Sequence, residues 1–172
     1  MRFLYTILAY LLAPIFSAVL LWRGFRFRGY WSNFGDRFGL GRRFAERTIW
    51  IHAVSVGEMQ AAAPLVQTLR ERYPGTPVVV STVTPTGYAH ARKLFRDTVH
   101  VRYVPLDVPG AVRRFFDRTN PRLAVIFETE LWPNLFHRCG RLGVPLVLAS
   151  ARVSPRSVRR YRLMVKLFEE TL

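Results

Sequence analysis

Acidic residues and cysteine are scarce in this chain. Its 172 residues include 11 Asp and Glu against 26 Lys and Arg, so the formal net charge is +15. A chain with so strong a positive charge is expected to meet a polyanion: nucleic acid, an anionic membrane or a phosphorylated substrate. Cys139 is the only cysteine, so no disulfide can form within the chain and nothing demands an oxidising compartment.

Sequence motifs of several enzyme and binding classes are also absent. The chain has no G-x-x-x-x-G-K-[ST] phosphate-binding loop, no G-x-G-x-x-G after its first predicted strand and no G-x-S-x-G nucleophile elbow. Its four histidines form no H-E-x-x-H or similar metal-binding spacing, and no D-x-D occurs. No nucleic-acid-binding motif is recognisable either, which favours a membrane or a phosphorylated lipid as the polyanion.

The first residues are, by contrast, uncharged and apolar. Phe3 to Trp22 contains no charged side chain, and as a helix it would be roughly 30 Å long, the thickness of the hydrocarbon core of a bilayer. Because the run is too long for a cleavable signal and lacks a small-residue cleavage site, residues 1–23 are predicted to be an uncleaved membrane anchor. Arginines on its C-terminal side place the rest of the chain in the cytoplasm. Pro14 suits either a kinked spanning helix or a monotopic one, and a buried core helix is the remaining alternative.

Two further segments flank the predicted globular domain. Residues 24–47 are rich in Gly, Arg and aromatic residues, and are predicted to form a basic juxtamembrane connector that lies on the membrane. Residues 153–172 begin with Ser154 as a helix cap and Pro155 at the first helical position. They are predicted to form a basic linking helix.

Short runs of β-branched residues alternate with helical patterns across residues 48–152. This alternation predicts an α/β domain with a Rossmann-like, doubly wound parallel sheet and right-handed crossovers. The predicted strands are 48–54, 76–83, 99–104, 122–128 and 145–150. Because ligands of such sheets bind outside the carboxyl ends of the strands, the residues that follow each strand are the candidates for chemistry.

Glu58 follows the first predicted strand in the stretch VSVGE. Ser55 and Glu58 fit the S-x-x-E capping box, in which the serine accepts from the Glu58 amide and the glutamate reaches back. A catalytic carboxylate at the same place would benefit from Gly57, which lets a substrate approach the backbone closely. The residues alone leave both interpretations open.

A second acidic group lies in the stretch ETELWPN, at the end of the fourth predicted strand. Glu130 is explained as an acid at the start of a helix, where the dipole favours it. Glu128 is harder to explain structurally, because a carboxylate that ends an apolar strand is costly to bury and points toward the mouth where Glu58 lies. Trp132 and Pro133 are interpreted as packing residues.

Arginines recur in small clusters along the chain. Each cluster is explained either as a solvated helix face or as a site for a phosphorylated lipid, since guanidinium binds phosphate in a bidentate manner. The clusters are Arg42 with Arg43, Arg113 with Arg114, and Arg156 with Arg159 and Arg160.

Five motifs stand in order behind the hydrophobic N-terminus: VSVGE, TPTG, VPLDVP, ETELWPN and SARVSPRS. In this order the sequence closely resembles the 3-deoxy-D-manno-octulosonic acid (Kdo) transferases of Gram-negative lipopolysaccharide synthesis. The resemblance extends over essentially the whole chain, and ETELWPN is a specific signature of that family.

The resemblance implies a GT-B glycosyltransferase, with two Rossmann-like domains across a cleft, on the cytoplasmic face of the inner membrane. Such an enzyme transfers Kdo from CMP-Kdo to a phosphorylated lipid A precursor, with inversion of configuration and without a metal or other cofactor. By the resemblance, Glu58 is the general base and Glu128 stabilises the transition state. The residues implied in substrate binding are Ser55, Gly57, Glu130 and Arg152.

Two departures from the family pattern qualify this expectation. Members of the family are about twice as long, so the chain resembles the acceptor-binding half and is expected to be inactive without a CMP-Kdo-binding domain. The family commonly has Asn where Ser150 stands, so hydrogen bonding in that loop is expected to differ. A catalytically silent, basic, membrane-anchored lipid-binding module is the alternative. A glycosyltransferase of the type that builds peptidoglycan precursors is less favoured, because its Gly-rich and His-containing loops are absent.

Overall fold

The computed structural model describes residues 2–128 and 132–150, and the predicted linking helix at 153–172 lies outside them. Strands and helices alternate after the first helix. The strands are β1 (Thr48–His52), β2 (Val78–Thr82), β3 (His100–Tyr103), β4 (Pro121–Phe127) and β5 (Leu146–Ala149). The helices are α1 (Arg2–Arg26), α2 (Val56–Arg72), α3 (Pro85–Phe95), α4 (Pro109–Thr119) and α5 (Pro133–Leu142).

All five strands form one parallel sheet in the order β3-β2-β1-β4-β5. This confirms the predicted Rossmann-like α/β class. Each strand lies where the β-branched runs predicted it, with ends that differ by one or two residues. β4, for example, begins at Pro121 and ends at Phe127, so Glu128 is the first residue beyond the strand.

The sheet separates two hydrophobic cores because alternate residues of each strand point to opposite faces. In β1, Trp50 packs in the core that includes Phe115 of α4 and Leu135 of α5. Ile51 packs in the other core, with Met59 of α2. Helices therefore cover both faces, as a doubly wound sheet requires.

The N-terminal helix α1 is long and apolar enough to cross a membrane, by length and composition alone. It continues through Pro14 without a break in the helical assignment. Its buried residues are Leu20 and Gly24, so its side chains are mostly not part of the core. The helix is thus a candidate anchor.

The segment 24–47, predicted as a connector on the membrane, supplies buried residues to the sheet domain. Asp36 accepts a hydrogen bond from the Tyr103 backbone N–H at 3.1 Å and pairs with Arg102 at 3.8 Å. Arg37 is 2% exposed, and its guanidinium lies 4.1 Å from the centre of the Tyr103 ring. The Gly, Arg and aromatic composition of the segment did not predict this packing.

Candidate functional site at the carboxyl edge of the sheet

The strand order defines one switch point in the described sheet. From β1 the chain moves to β2 and then β3 on one side, and β4 then pairs with β1 on the other side. His52 of β1 is opposite Ile126 of β4, so both strands end at the same edge. In doubly wound sheets, ligands bind in the crevice outside such a pair of strands. Glu58 and Glu128 follow β1 and β4 respectively, so they flank this crevice.

Glu58 lies in the first turn of α2 and takes part in its cap. Ser55 is the N-cap residue, and its Oγ accepts a hydrogen bond from the Glu58 backbone N–H at 3.2 Å. Glu58 Oε2 accepts in turn from the Val54 backbone N–H at 2.7 Å. The predicted capping box is therefore present, with the carboxylate reaching one residue beyond the cap.

One carboxylate oxygen of Glu58 remains open to a ligand. Within the part of the chain that the structure describes, Oε2 has the Val54 partner and Oε1 has none. The backbone contact fixes the carboxylate group, while Oε1 can still accept a proton or a hydrogen bond. Capping and a direct role in chemistry are thus compatible at this residue.

Ser55 and Gly57 leave room beside this carboxylate. Both residues are exposed. A Cβ added at Gly57 would meet only Ser55 Oγ, at 3.9 Å, so no other part of the described protein occupies that space. A polar ligand at the edge of the sheet can therefore approach the start of α2 closely.

Glu128 has an unusual backbone conformation. Its φ angle is 59°, in the left-handed region that non-glycine residues seldom adopt, and its N–H donates to the Ala149 carbonyl at 2.9 Å. Its side chain is exposed, so it does not pay the desolvation cost that a buried carboxylate would. Unusual conformations of this kind cluster at functional sites. Glu130 and Arg152, the other predicted site residues, lie outside the described residues.

A buried histidine lies beneath the crevice, in β1. His52 is 0% exposed, and its Nδ1 is 3.1 Å from the Ser81 carbonyl oxygen and 2.9 Å from Ser81 Oγ. Burial lowers the pKa of His52 to about 4, so the ring is neutral at physiological pH. Its ring centre is 6.5 Å from that of Trp132, in an edge-to-face arrangement. His52 is therefore an uncharged, buried side chain that packs beside Trp132.

The sequence motifs VPLDVP and ETELWPN meet at the start of α5. Asp107 accepts hydrogen bonds from the backbone N–H groups of Asn134 at 3.0 Å and Leu135 at 2.9 Å. The Asn134 side-chain amide donates to the Asp107 carbonyl at 2.7 Å. Asp107 thereby caps α5, which begins at Pro133 near the end of the ETELWPN stretch.

Helix α1 completes this network. Tyr5 Oη donates to Asp107 Oδ2 at 2.8 Å, and Thr6 Oγ1 donates to Asn134 Oδ1 at 3.0 Å. Burial raises the pKa of Asp107, while the donors from Asn134, Tyr5 and Leu135 oppose that rise by favouring the carboxylate. Sequence reasoning missed this role of Asp107. Asp107 stands directly before α4 and not before α5, so its local sequence does not indicate this contact.

The arginine clusters are only partly free surface. Arg114 Nε donates to the Phe38 carbonyl at 2.8 Å, which fixes the 24–47 segment to α4. Arg42 lies over the ring of Phe44, with 5.3 Å between the guanidinium carbon and the ring centre. These two contacts are structural. For the other arginines of the clusters, phosphate binding stays a prediction.

No metal site is assigned to the described residues. Within 2–128 and 132–150, no three His, Cys, Asp or Glu side chains lie close enough together to hold an ion. The expectation that the chemistry needs no metal or other cofactor stays a prediction.

Fold and site together define a Rossmann-like α/β domain with an acidic crevice at its switch point. The profile of the family described as "3-Deoxy-D-manno-octulosonic-acid transferase (kdotransferase)" matches residues 32–172. The chain therefore belongs to the Kdo transferase family, which confirms the resemblance.

Curated relatives agree with this assignment. The 3-deoxy-D-manno-octulosonic acid transferase of Haemophilus influenzae is 37% identical over 93% of this chain and 38% of the relative. Its counterpart in Bordetella pertussis is 39% identical over 99% of this chain and 42% of the relative. A probable mitochondrial 3-deoxy-D-manno-octulosonic acid transferase of Arabidopsis thaliana is 33% identical over 92% of this chain and 36% of the relative. The chain thus spans roughly two fifths of the length of these relatives.

Proposed function

We propose that this chain is the acceptor-binding part of a membrane-associated, inverting GT-B glycosyltransferase. The complete enzyme transfers Kdo from CMP-Kdo to a phosphorylated lipid A precursor in lipopolysaccharide synthesis. The observation that carries the proposal is a carboxylate with one free oxygen, Glu58 Oε1, beside the open space at Gly57 and at the switch point of the sheet. Membership of the Kdo transferase family supplies the reaction.

Glu58 acts as the general base in this proposal. A hydroxyl of the acceptor sugar attacks the anomeric carbon of Kdo, and its proton passes to Glu58 Oε1 as the new glycosidic bond forms. The bond to CMP breaks, and CMP leaves with the electron pair. The Val54 N–H holds the carboxylate through Oε2, so the base is oriented before the acceptor arrives. Ser55, Gly57, Glu130 and Arg152 are proposed to contact the substrates.

Glu128 acts as the electrostatic partner. As CMP leaves, the anomeric carbon gains positive charge, and a nearby carboxylate favours that state. Its position at the end of β4, beside the strand that leads to Glu58, supports this role. The left-handed backbone conformation of Glu128 is further support, because strained backbone conformations are often found at functional sites.

The membrane is proposed as the second partner, on the cytoplasmic face of the inner membrane. The exposed apolar surface of α1 would enter the lipid, and the cations Arg23 and Arg26 in its last turn would contact anionic headgroups. The formal charge of +15 adds a general attraction to phosphorylated lipid.

Binding to lipid vesicles tests the proposal on this chain. Vesicles with the bis-phosphorylated lipid A precursor are compared with vesicles of equal charge made from ordinary anionic phospholipid. The expected result is a preference for the precursor that survives moderate salt, since a formed pocket is screened less than surface charge. Equal binding that salt abolishes would contradict the proposal and favour a nonspecific basic module.

A pair of glycine variants sharpens this test. Gly57→Leu places a bulky side chain in the open space beside Glu58 and is expected to abolish the preference for the precursor. Gly75→Leu is the matched control, because a Cβ at Gly75 likewise has open space around it, with nothing within 4 Å, but Gly75 lies far from the crevice, after α2. Loss of preference in both variants, or in neither, would count against an acceptor site at Gly57.

A further inference from the structure

Helix α1 is attached to the sheet domain through its first half, and the turn that follows the helix is attached as well. Near its start, Tyr10 Oη accepts from the Gly110 backbone N–H at 3.2 Å, in addition to the Tyr5 bond to Asp107. Near its end, Trp31 Nε1 donates to the Leu21 carbonyl at 2.9 Å. The following turn is held as well, because Tyr103 Oη donates to the Gly29 carbonyl at 3.1 Å. The helix therefore lies along the domain, and a bilayer would meet it from the side.

The two sides of α1 differ in their surroundings. The outward side carries large exposed apolar residues: Phe3, Leu4, Leu8, Leu11, Ile15 and Trp22. The other side carries Ala9 and Ala13, one helical turn apart, and both are partly buried. Small side chains on the inner side leave space between α1 and the sheet domain.

A cavity of about 210 Å³ fills this space. Its walls are mostly apolar, with α1 on one side and the loops after β2 and β3 on the other. Among the lining residues are Ala9, Ala13 and Phe16 of α1, and Val83, Val104 and Leu106 of the domain. An aliphatic chain is the kind of ligand that such walls favour.

The polar groups at the cavity restrict the ligand further. Arg37 and Asp107 both line it, so its walls already carry one cation and one carboxylate. An added phosphate would have to lie near the Asp107 carboxylate, which is unfavourable. Arg37 Nε and Trp132 Nε1 are buried N–H groups that have no acceptor among the described residues. Both residues line the cavity, so an uncharged ligand with an acceptor oxygen suits its polar end better than a charged one.

We propose that this cavity binds an acyl chain of the acceptor lipid, with its carbonyl or hydroxyl oxygen near Arg37 and Trp132. Trp132 belongs to the ETELWPN stretch and contacts the ring of His52 under the crevice, so the cavity adjoins the site where the sugar would lie. The chain would enter from the membrane along α1 while the sugar meets Glu58. The identity of the lipid as the acceptor rests on the proposed function. The inference that the ligand is an aliphatic chain rests on the cavity itself.

Photocrosslinking tests the proposal without relying on transfer activity. The probe is glucosamine acylated on nitrogen with a chain that carries a diazirine near its end, supplied in phosphatidylcholine vesicles with the whole chain. Crosslinked peptides are then mapped by mass spectrometry. The proposal expects labels on Val104 and Leu106 that excess unlabelled N-acyl glucosamine competes away. Labels confined to the outward side of α1, at Leu11 and Ile15, would overturn it.

A pair of α1 variants provides a matched comparison. Ala13→Phe fills the cavity and is expected to lower labelling of Val104 and Leu106 about tenfold. Ala18→Phe adds the same side chain at an exposed position of the same helix and is expected to leave it unchanged. Equal labelling in both variants would overturn the proposal. Because competition is measured in the unaltered chain, the test does not depend on the folding of Ala13→Phe.

The outcomes separate this proposal from the proposed function. Cavity labels without a preference for the phosphorylated precursor would support the acyl site and contradict the acceptor assignment. A preference for the precursor without cavity labels would support the acceptor assignment and contradict the acyl site. Occupation by water alone would leave Val104 and Leu106 unlabelled, and that result would overturn the acyl site.

Discussion

Tyr5 and Asp107 are joined by a hydrogen bond of 2.8 Å, although 102 residues separate them in the sequence. The bond links the apolar N-terminal helix to the carboxylate that caps α5. The helix predicted as an anchor is therefore also part of the scaffold beneath the ETELWPN stretch. A change made in α1 is expected to reach the candidate site through this contact.

Replacement of Tyr5 tests that link. Tyr5→Phe removes one of three donors to a buried carboxylate, so the free energy of unfolding is expected to fall by about 1–3 kcal/mol. Hydrogen exchange at the Asn134 and Leu135 amides should also become faster. The matched control is Tyr10→Phe, whose exposed hydroxyl only accepts from Gly110, and it should have a smaller effect on both. Equal effects in the two variants would rule out a specific link through Asp107.

The packing of the 24–47 segment predicts a second result. A Cβ built on Gly41 would overlap the Asp36 and Arg102 side chains, both of which are buried. Gly41→Ala is therefore expected to lower the free energy of unfolding by about 1–3 kcal/mol in denaturant titrations. Gly75→Ala, where the space is open, should be neutral or slightly stabilising. If both variants are neutral, the segment does not pack as described.

His52 predicts a pH dependence of stability. The folded pKa, about 4, lies below the ordinary value of 6.5, so the unfolded state binds more protons between these values. The contribution of His52 is complete above pH 6.5 and is lost as the pH falls toward 4. The loss amounts to about 3 kcal/mol, at roughly 1.4 kcal/mol per unit.

The measurement compares unfolding free energies of the wild type and His52→Gln between pH 6.5 and pH 4. Other acidic groups titrate in both proteins, so the difference between the two slopes isolates His52. The wild type is expected to lose more stability than the variant as the pH falls. Parallel curves would show that His52 is not held neutral by burial.

Ser150 is expected to be a site where one substitution stabilises the protein. Its φ angle is 56°, in the left-handed region that Asn tolerates better than Ser. Ser150→Asn should raise the free energy of unfolding by a few tenths to about 1 kcal/mol. Ser32→Asn is the control, because Ser32 is exposed and has no positive φ angle. An equal gain in both variants would argue against a conformational cause.

Much of the fold was predictable from local patterns. Buried parallel strands are runs of β-branched residues, so β1, β2 and β4 were evident from stretches such as that around Val79 and Val80. The strand order, however, depends on which strands pair over long distances, and β-branched runs do not encode that pairing. The Ser55 and Glu58 cap could be predicted because both halves of a capping box lie within one turn.

The parts that could not be predicted depend on contacts between distant residues. The Asp36 and Arg102 pair, and the bond from Tyr5 to Asp107, each join segments more than 60 residues apart. From their composition, residues 1–23 and 24–47 were both predicted to lie in or on the membrane. Arginines and aromatic residues are suited equally to a lipid surface and to a buried network, so composition does not distinguish the two. The left-handed turn at Glu128 also escaped prediction, since no glycine marks it.

The most direct test of the account is the turnover of Glu58→Gln. The assay measures Kdo transfer from CMP-Kdo to the lipid A precursor, in a protein that carries this chain together with a CMP-Kdo-binding domain. Gln keeps a carbonyl oxygen that can accept from Val54, so the helix cap is preserved, but it cannot take the proton of a sugar hydroxyl. Glu71→Gln, at the far end of α2, is the matched control. Glu58→Gln is expected to lower kcat by about a hundredfold or more, while precursor binding and the turnover of Glu71→Gln are unchanged. Near-normal turnover in Glu58→Gln would show that Glu58 is a helix cap and not the base.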